Sequence, residues 1–227
     1  TVNARTVTSG NTAYSVYIQT AQVTGTGANN AGEEYATGSK AVINSGTYTA
    51  TTIGTTAYAI CAGQRAITFN EGAEGFATLV IHGGTFNANA GTSAARAVHS
   101  GGYTTIDGGE FHSTAGTTTA YGLFVNTGKL TASGVTVTAE ANGTAYGCVL
   151  EGNITNYDGV KAGIKNCGEM ELNNLDVTAT TRTSTEARGV YAIGGYRTLT
   201  QATFDGLSDA NKTKYDLTYV KSYFVLL

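Results

Sequence analysis

The sequence predicts an all-β fold: a single-domain, right-handed parallel β-solenoid with about seven coils of roughly 25 residues and three loop insertions on one edge. Three observations predict this fold. Seven times along the chain, an apolar residue is followed five positions later by a second apolar or aromatic residue. Two positions after the second residue there is always a small residue. A third apolar position follows in six copies, after an Ala-Tyr or Ala-Arg pair in each of them.

The unit is clearest in residues 106–131, where Ile106 and Phe111 form the pair, Ser113 is the small residue and Leu123 is the third apolar position. The seven pairs, which anchor coils spread over one domain of residues 1–227, are Val2 and Val7, Ile43 and Tyr48, Ile81 and Phe86, Ile106 and Phe111, Ala132 and Val137, Leu172 and Val177, and Leu199 and Phe204. The third apolar position is occupied in turn by Val16, Ile60, Val98, Leu123, Cys148 and Val190.

The spacing within each pair predicts a bend between two strands. Alternation of apolar residues with Thr is typical of strands, and two residues five apart face opposite sides of a straight strand. The turn-prone residues between them, such as Gly83 and Gly84, must therefore bend the chain. In a stack of such coils, the second residues from Val7 to Phe204 would form an inward ladder. A right-handed coil is expected because parallel crossovers usually have that hand.

Three insertions interrupt the repeat, at about Gln19–Lys40, Cys61–Ala77 and Val149–Gly168. Each follows the third strand of a coil, so all three are expected at the same corner. Loops on one edge of a solenoid often bind partners, although surface loops also tolerate insertions without any function. A glycan-binding edge in these insertions would use Tyr35, Glu71, Tyr157 and Asp158.

The last residues, 215–227, alternate and then become wholly apolar, which predicts a C-terminal strand. This strand either closes the last coil or joins one molecule to the next, because the ends of a solenoid expose unpaired strand edges. In the second case the expected assembly interface comprises Val2, Val7, Tyr219, Tyr223, Phe224, Val225, Leu226 and Leu227.

Side chains suited to acid–base chemistry are few. His82 and Asp107 share a column on adjacent copies and are expected within hydrogen-bonding distance, with His112 one column away. Glu110 and Asp176 also share a column, but Thr136 stands between them. Saccharide hydrolysis needs two carboxylates held across a groove. We therefore assign no catalytic residue and expect that the protein is not an enzyme.

The composition argues against several classes of partner and cofactor. The net charge is −3, only 13% of residues are charged, and no basic cluster is present, which argues against nucleic-acid binding. No apolar run is long enough for membrane insertion. Neither a calcium-loop pattern nor a Cys/His cluster occurs, so no metal or cofactor is predicted. Cys148 is expected in the core, and a disulfide between Cys148 and Cys167 is left open.

Residues 81–88 and 130–139 resemble repeats of secreted bacterial right-handed β-helix proteins of the pectate-lyase-like superfamily, above all its Gly/Thr-rich surface and adhesin-type members. The resemblance covers nearly the whole chain as a repeat pattern, and it implies an extracellular or cell-surface location. The calcium site and catalytic arginine of the lyases have no counterpart here, so no catalytic residue is carried over.

The expected function is that of a non-enzymatic extracellular structural or adhesive protein that self-associates as a subunit of a surface filament. The alternative is a β-helix protein that binds or cleaves a polysaccharide with the insertion edge.

Overall fold

Short strands follow one another along the chain, and all but one of their pairings are parallel. The structure is a computed structural model that describes residues 1–19, 21–24, 34–37, 39–63, 77–126, 129–151, 169–183, 186–193 and 223–226. Within these ranges there is no helix, and the strands form three parallel six-stranded sheets and one antiparallel hairpin. Outside this hairpin, consecutive described strands lie in different sheets, which makes the molecule a parallel β-solenoid, as predicted.

The strands are numbered along the chain. The first sheet contains β1 (Val2–Thr6), β6 (Thr47–Thr52), β9 (Thr85–Ala90), β12 (Glu110–Ala115), β15 (Thr136–Ala141) and β18 (Asp176–Thr181). The second contains β2 (Ala13–Gln19), β7 (Ala57–Gly63), β10 (Ala95–Ser100), β13 (Thr119–Val125), β16 (Thr144–Glu151) and β19 (Ala187–Ile193). The third contains β5 (Lys40–Ile43), β8 (Thr78–Ile81), β11 (Tyr103–Ile106), β14 (Lys129–Ser133), β17 (Glu169–Asn173) and β20 (Tyr223–Leu226). The hairpin pairs β3 (Ala21–Thr24) with β4 (Glu34–Thr37).

The core lies between the three sheets and consists of the predicted columns. In the first sheet Tyr48, Phe86, Phe111, Val137 and Val177 follow one another in register. The third apolar position forms an unbroken column in the second sheet, from Val16 to Val190, and Ile43 to Leu172 form one in the third sheet. Five of the seven predicted pairs are thereby confirmed.

The bends between the third and first sheets depend on glycine. Gly46, Gly84 and Gly109 have φ values of 123°, 121° and 118°, a region that side-chain-bearing residues rarely adopt. They stand between the two apolar residues of a predicted pair, where the chain turns from one sheet into the next. The bend expected from the five-residue spacing is confirmed.

The first copy has a different register from the predicted one. Val2, not Val7, pairs with Tyr48, and Ala4 pairs with Ala50. Val7 follows the end of β1 and is 64% exposed. The placement of Val7 in the inward ladder is wrong because Val2, Ala4 and Thr6 also alternate, and this shorter pattern sets the pairing.

The seventh copy and the cysteines also differ from expectation. Leu226 of β20 pairs with Leu172, at the place predicted for Leu199. Leu199 and Phe204 lie outside the described residues, as does Cys167. Cys148 is buried and has a free thiol, so the disulfide that the sequence left open is not formed.

The three predicted insertions leave one corner of the solenoid. Each connects a strand of the second sheet to the next strand of the third sheet, between β2 and β5, β7 and β8, and β16 and β17. The second and third begin later than predicted, because Cys61 lies within β7 and Val149 within β16. The connection from β19 to β20 joins the same two sheets at the same corner.

Candidate functional site

The predicted acid–base pair is present at the bends that precede β9 and β12. His82 Nδ1 lies 2.8 Å from Asp107 Oδ2 and 3.0 Å from Oδ1. The two side chains are 46% and 51% exposed, so water surrounds the pair. His112 Nε2 lies 3.7 Å from Glu110 Oε2 on the outer face of the first sheet. The arrangement offers exposed proton donors and acceptors, and such exposed pairs contribute little to stability.

The two carboxylates that share a column on the first sheet are separated as predicted. Thr136 pairs in register with Glu110 on one side and with Asp176 on the other. The register therefore places the two acidic residues two strands apart on the same sheet.

The predicted glycan-binding edge lies mostly outside the described residues, which include neither Glu71 nor Tyr157 nor Asp158. Tyr35 lies in β4, where its backbone pairs with Val23. The hairpin formed by β3 and β4 had not been expected within the first insertion.

A second array lies on the outer face of the second sheet, and we call it the Tyr–Arg column. It stands two positions before the third apolar residue of each copy, and it repeats Tyr, Tyr, Arg twice along the solenoid. Its members, in register, are Tyr14, Tyr58, Arg96, Tyr121, Tyr146 and Arg188. The recurring Ala-Tyr and Ala-Arg pairs of the sequence were its signal, but only the register shows that they form one line.

Arg96 is the best-enclosed cation in this column. Its Nη1 donates a hydrogen bond to the Tyr58 hydroxyl at 2.9 Å. The guanidinium carbon lies 5.4, 4.9 and 4.7 Å from the ring centroids of Tyr58, Tyr121 and Phe124. Arg96 Nε is buried without a hydrogen-bond partner. The attraction between the cation and the ring faces therefore provides much of its stabilisation.

His99 lies beside Arg96 in the neighbouring column. Its ring stacks on Tyr58 with centroids 5.5 Å apart and meets Phe124 edge-on at 5.0 Å. Burial and the nearby Arg96 charge lower the pKa of His99 to about 4, against the opposing effect of the Asn126 amide oxygen 3.3 Å from Nε2. His99 is therefore neutral at pH 7.

Cys61 pairs in register with His99, but its environment makes it unreactive. Burial raises the pKa of the Cys61 thiol to about 12, and burial raises that of the Cys148 thiol to about 12 as well. Since the thiolate is the nucleophilic form, neither cysteine is suited to nucleophilic catalysis.

The rings of the Tyr–Arg column contact one another along the solenoid axis. Tyr14 and Tyr58 stack with centroids 4.8 Å apart and 4° between their planes. Tyr121 and Tyr146 lie with centroids 5.7 Å apart, and Tyr146 stacks at 5.2 Å on Tyr191 of the neighbouring column. A ring face that is covered by the next ring is not available to a flat sugar ring. The column therefore holds successive coils together rather than forming a row of stacking platforms for a saccharide.

The outermost strands leave part of the core uncovered. Val190 of β19 is 39% exposed, whereas Leu123 and Cys148 of the same column are 0% exposed. At the other end Val2 of β1 is 41% exposed, whereas Phe86 of the same column is 0% exposed. Among the described strands, β1 and β2 are outermost at one end and β18 and β19 at the other.

The described residues contain no group of three or more His, Cys, Asp or Glu side chains that could hold a metal ion. They also contain no helix that is long and apolar enough to cross a membrane. Comparison with protein-family models, with curated proteins and with solved structures finds no match to this chain.

Proposed function

We propose that this chain is a non-enzymatic extracellular structural or adhesive protein, a subunit of a surface filament that forms by end-to-end stacking. The observation that carries the proposal is the exposure of inward-pointing core residues on the outermost strands, Val2 at one end and Val190 at the other. In the described residues, parallel strands already stack from one end of each six-stranded sheet to the other, so a second molecule can continue the same ladders.

The physical reason is the cost of an open solenoid end. An outermost strand presents unpaired backbone N–H and C=O groups, and the apolar residues beneath it remain in contact with water. Stacking a second molecule on that end satisfies the backbone groups and removes the exposed valine surface from water, at about 25 cal/mol per Å² of apolar area.

The use of the side chains also favours a structural role. The stacked rings of Tyr48, Phe86 and Phe111 inside the solenoid make contacts from coil to coil, along the solenoid axis. The Tyr–Arg column does the same on the outer face. The extracellular location and the membership of the pectate-lyase-like superfamily are supported by the resemblance of residues 81–88 and 130–139 to repeats of secreted surface proteins.

Electron microscopy and sedimentation of the full chain over a concentration series test this proposal. We expect fibres that lengthen with concentration, and we expect them to be lost when residues 219–227, which contain β20, are deleted. Thr114→Lys is the control, because Thr114 points outward from a central strand and its change should leave fibres intact. A monodisperse monomer at every concentration would contradict the proposal.

The second candidate is a protein that binds or cleaves a polysaccharide, and the geometry of His82 and Asp107 favours it. A carboxylate 2.8 Å from an imidazole nitrogen can orient that imidazole as a general base. The measurement is the release of reducing ends from a panel of polysaccharides by the full chain, and binding to the same panel. Activity that is lost in His82→Gln and Asp107→Asn, but kept in His112→Gln, would support this function and contradict the proposal of a non-enzymatic structural protein.

A further inference from the structure

The outermost strands at the two ends of the solenoid differ in a way that shows how one molecule would join the next, and this junction rests on the proposed function. We propose that β20 of one copy lies level with β1 and β2 of the next copy, so that the three strands together complete one coil. Each copy then adds six strands to every sheet of a continuous solenoid. The partner at both ends is a second copy of this chain.

The strand order provides the first argument. At one end, β1 and β2 are the outermost strands of the first and second sheets, whereas the outermost strand of the third sheet, β5, belongs to the following coil. At the other end, β20 extends the third sheet one coil beyond β18 and β19. Within the described residues one end thus lacks a third-sheet strand, and the other end supplies one.

The lengths of the strands that would meet provide the second argument. In the second sheet β19 and β2 both have 7 residues, and in the third sheet β20 and β5 both have 4. In the first sheet β18 has 6 residues and β1 has 5. All three junctions therefore pair strands of equal or nearly equal length, as the internal ladders do.

The Tyr–Arg column provides an independent argument. Within the chain its order is Tyr14, Tyr58, Arg96, then Tyr121, Tyr146, Arg188. The guanidinium carbon of Arg96 lies 4.9 Å from the Tyr121 centroid, across two adjacent coils. If the next copy follows in register, Arg188 meets Tyr14 of that copy and repeats the same step. A pattern of period three continues without a break only because six strands are added per copy.

The ends of this column are accessible for such a contact. Tyr14 is 38% exposed, and the Arg188 side chain is 43% exposed. Arg188 lies 4.0 Å from the Tyr191 centroid, and its Nη2 is 3.1 Å from Glu186 Oε1, so its guanidinium is already oriented by neighbours of the same strand region.

The core columns also continue across the junction. Val2 pairs with Tyr48, and Val177 is the last member of the same column, so the next copy would place its Val2 on Val177. By the same register its Ala4 would lie on Ala179. In the second sheet Val16 would lie on Val190, as it already pairs with Ile60 on its other side. Each contact adds a small or β-branched residue to a column of similar residues.

The proposal fixes the axial repeat of the filament. Six strands at a spacing of about 4.8 Å give about 29 Å for each copy, against about 34 Å for the seven coils that the sequence predicted. Fibre diffraction or image reconstruction of the wild-type fibres separates these two values.

Disulfide trapping tests the register directly. In Ala4→Cys/Ala179→Cys the two Cα atoms of neighbouring copies would lie about 4.8 Å apart, within the range of a disulfide. In the control, Ala4→Cys/Val177→Cys, the partner lies two residues along the strand and the Cα atoms would be about 8 Å apart, beyond that range. Wild type, oxidised in parallel, gives the background from the native cysteines.

We expect a ladder of covalent oligomers from the first double variant, at least ten times more abundant than from the control, and a repeat of about 29 Å in wild-type fibres. Fibres with another repeat, or without register-specific trapping, would overturn the junction while leaving the structural function intact. Absence of both fibres and covalent oligomers at every concentration would overturn the junction and the proposed function together.

Discussion

Phe86 and Phe111 stack inside the solenoid with ring centroids 4.9 Å apart and 6° between their planes, although they are a whole coil apart in sequence. Both side chains are fully buried. Phe111→Ala leaves a cavity and removes this contact, so we expect a loss of about 3–5 kcal/mol in the free energy of unfolding. Urea denaturation at low protein concentration measures it.

The control for this substitution is Val42→Ala. Val42 is 51% exposed on the third sheet, and its truncation should change the free energy of unfolding by less than about 0.5 kcal/mol. A loss for Phe111→Ala no larger than that of the control would contradict the inward aromatic column.

Gly147 and Gly189 share a column of the second sheet but differ in the space around them. A Cβ on Gly147 would collide with Val177 Cγ1 and lie 2.5 Å from the Gly189 carbonyl oxygen, whereas a Cβ on Gly189 would lie 3.9 Å from Val177 Cγ1. We expect Gly147→Ala to cost about 1–3 kcal/mol through overpacking. Gly189→Ala, the matched control, should stay within about 1 kcal/mol of wild type. Thermal unfolding of both variants measures the two changes in stability. Equal losses of stability would show that the spacing between coils adjusts to the added methyl group.

His99 should make stability depend on pH. Its pKa is lowered from the ordinary value of 6.5 to about 4 in the folded state, through burial and the charge of Arg96. Between these two pH values the unfolded chain protonates His99 more readily than the folded chain does. The free energy of unfolding is therefore at its full value above pH 6.5 and decreases as the pH falls towards 4. His99→Gln should reduce the loss of stability between pH 7 and pH 4.5.

The measurement is the denaturation midpoint of wild type and His99→Gln at several pH values. The carboxyl groups titrate in both proteins, so the difference between them isolates His99. An identical pH dependence would mean that His99 is solvated in the folded state.

Arg96 should not be replaceable by lysine. A lysine ammonium keeps the charge but lacks the planar group that contacts three rings. Its single nitrogen cannot both hydrogen-bond the Tyr58 hydroxyl and cover the ring faces as the guanidinium does. We expect Arg96→Lys to cost about 1–2 kcal/mol in the free energy of unfolding. Arg5→Lys, at an exposed position of β1, should change it by less than about 0.5 kcal/mol. A comparable effect of the two changes would show that charge alone stabilises the column.

The sequence was sufficient to predict the parallel solenoid because the inward positions of every central coil must be apolar. Each of these positions packs between a coil above and a coil below, and this limits the residue types that fit there. Val137 and Val177 could be placed in one column on that basis alone. Val7 was misplaced because β1 has a neighbour on only one side, and two alternations fit its short sequence. The contacts of Arg96 were not predictable, since outward positions accept many residue types and only the register shows which ones meet.

The corners of the solenoid differ in how much chain they hold. Connections from the third to the first sheet have two or three residues, and four of them contain a glycine with positive φ. Connections from the second to the third sheet range from the two residues Gly101 and Gly102 to the stretch 194–222, and the columns on either side keep their register. Foreign peptides could therefore be grafted at this one corner without disturbing the stack. In a filament of six strands per copy, such grafts would be displayed as a regularly spaced row, and the spacing would be set by the solenoid rather than by the peptide.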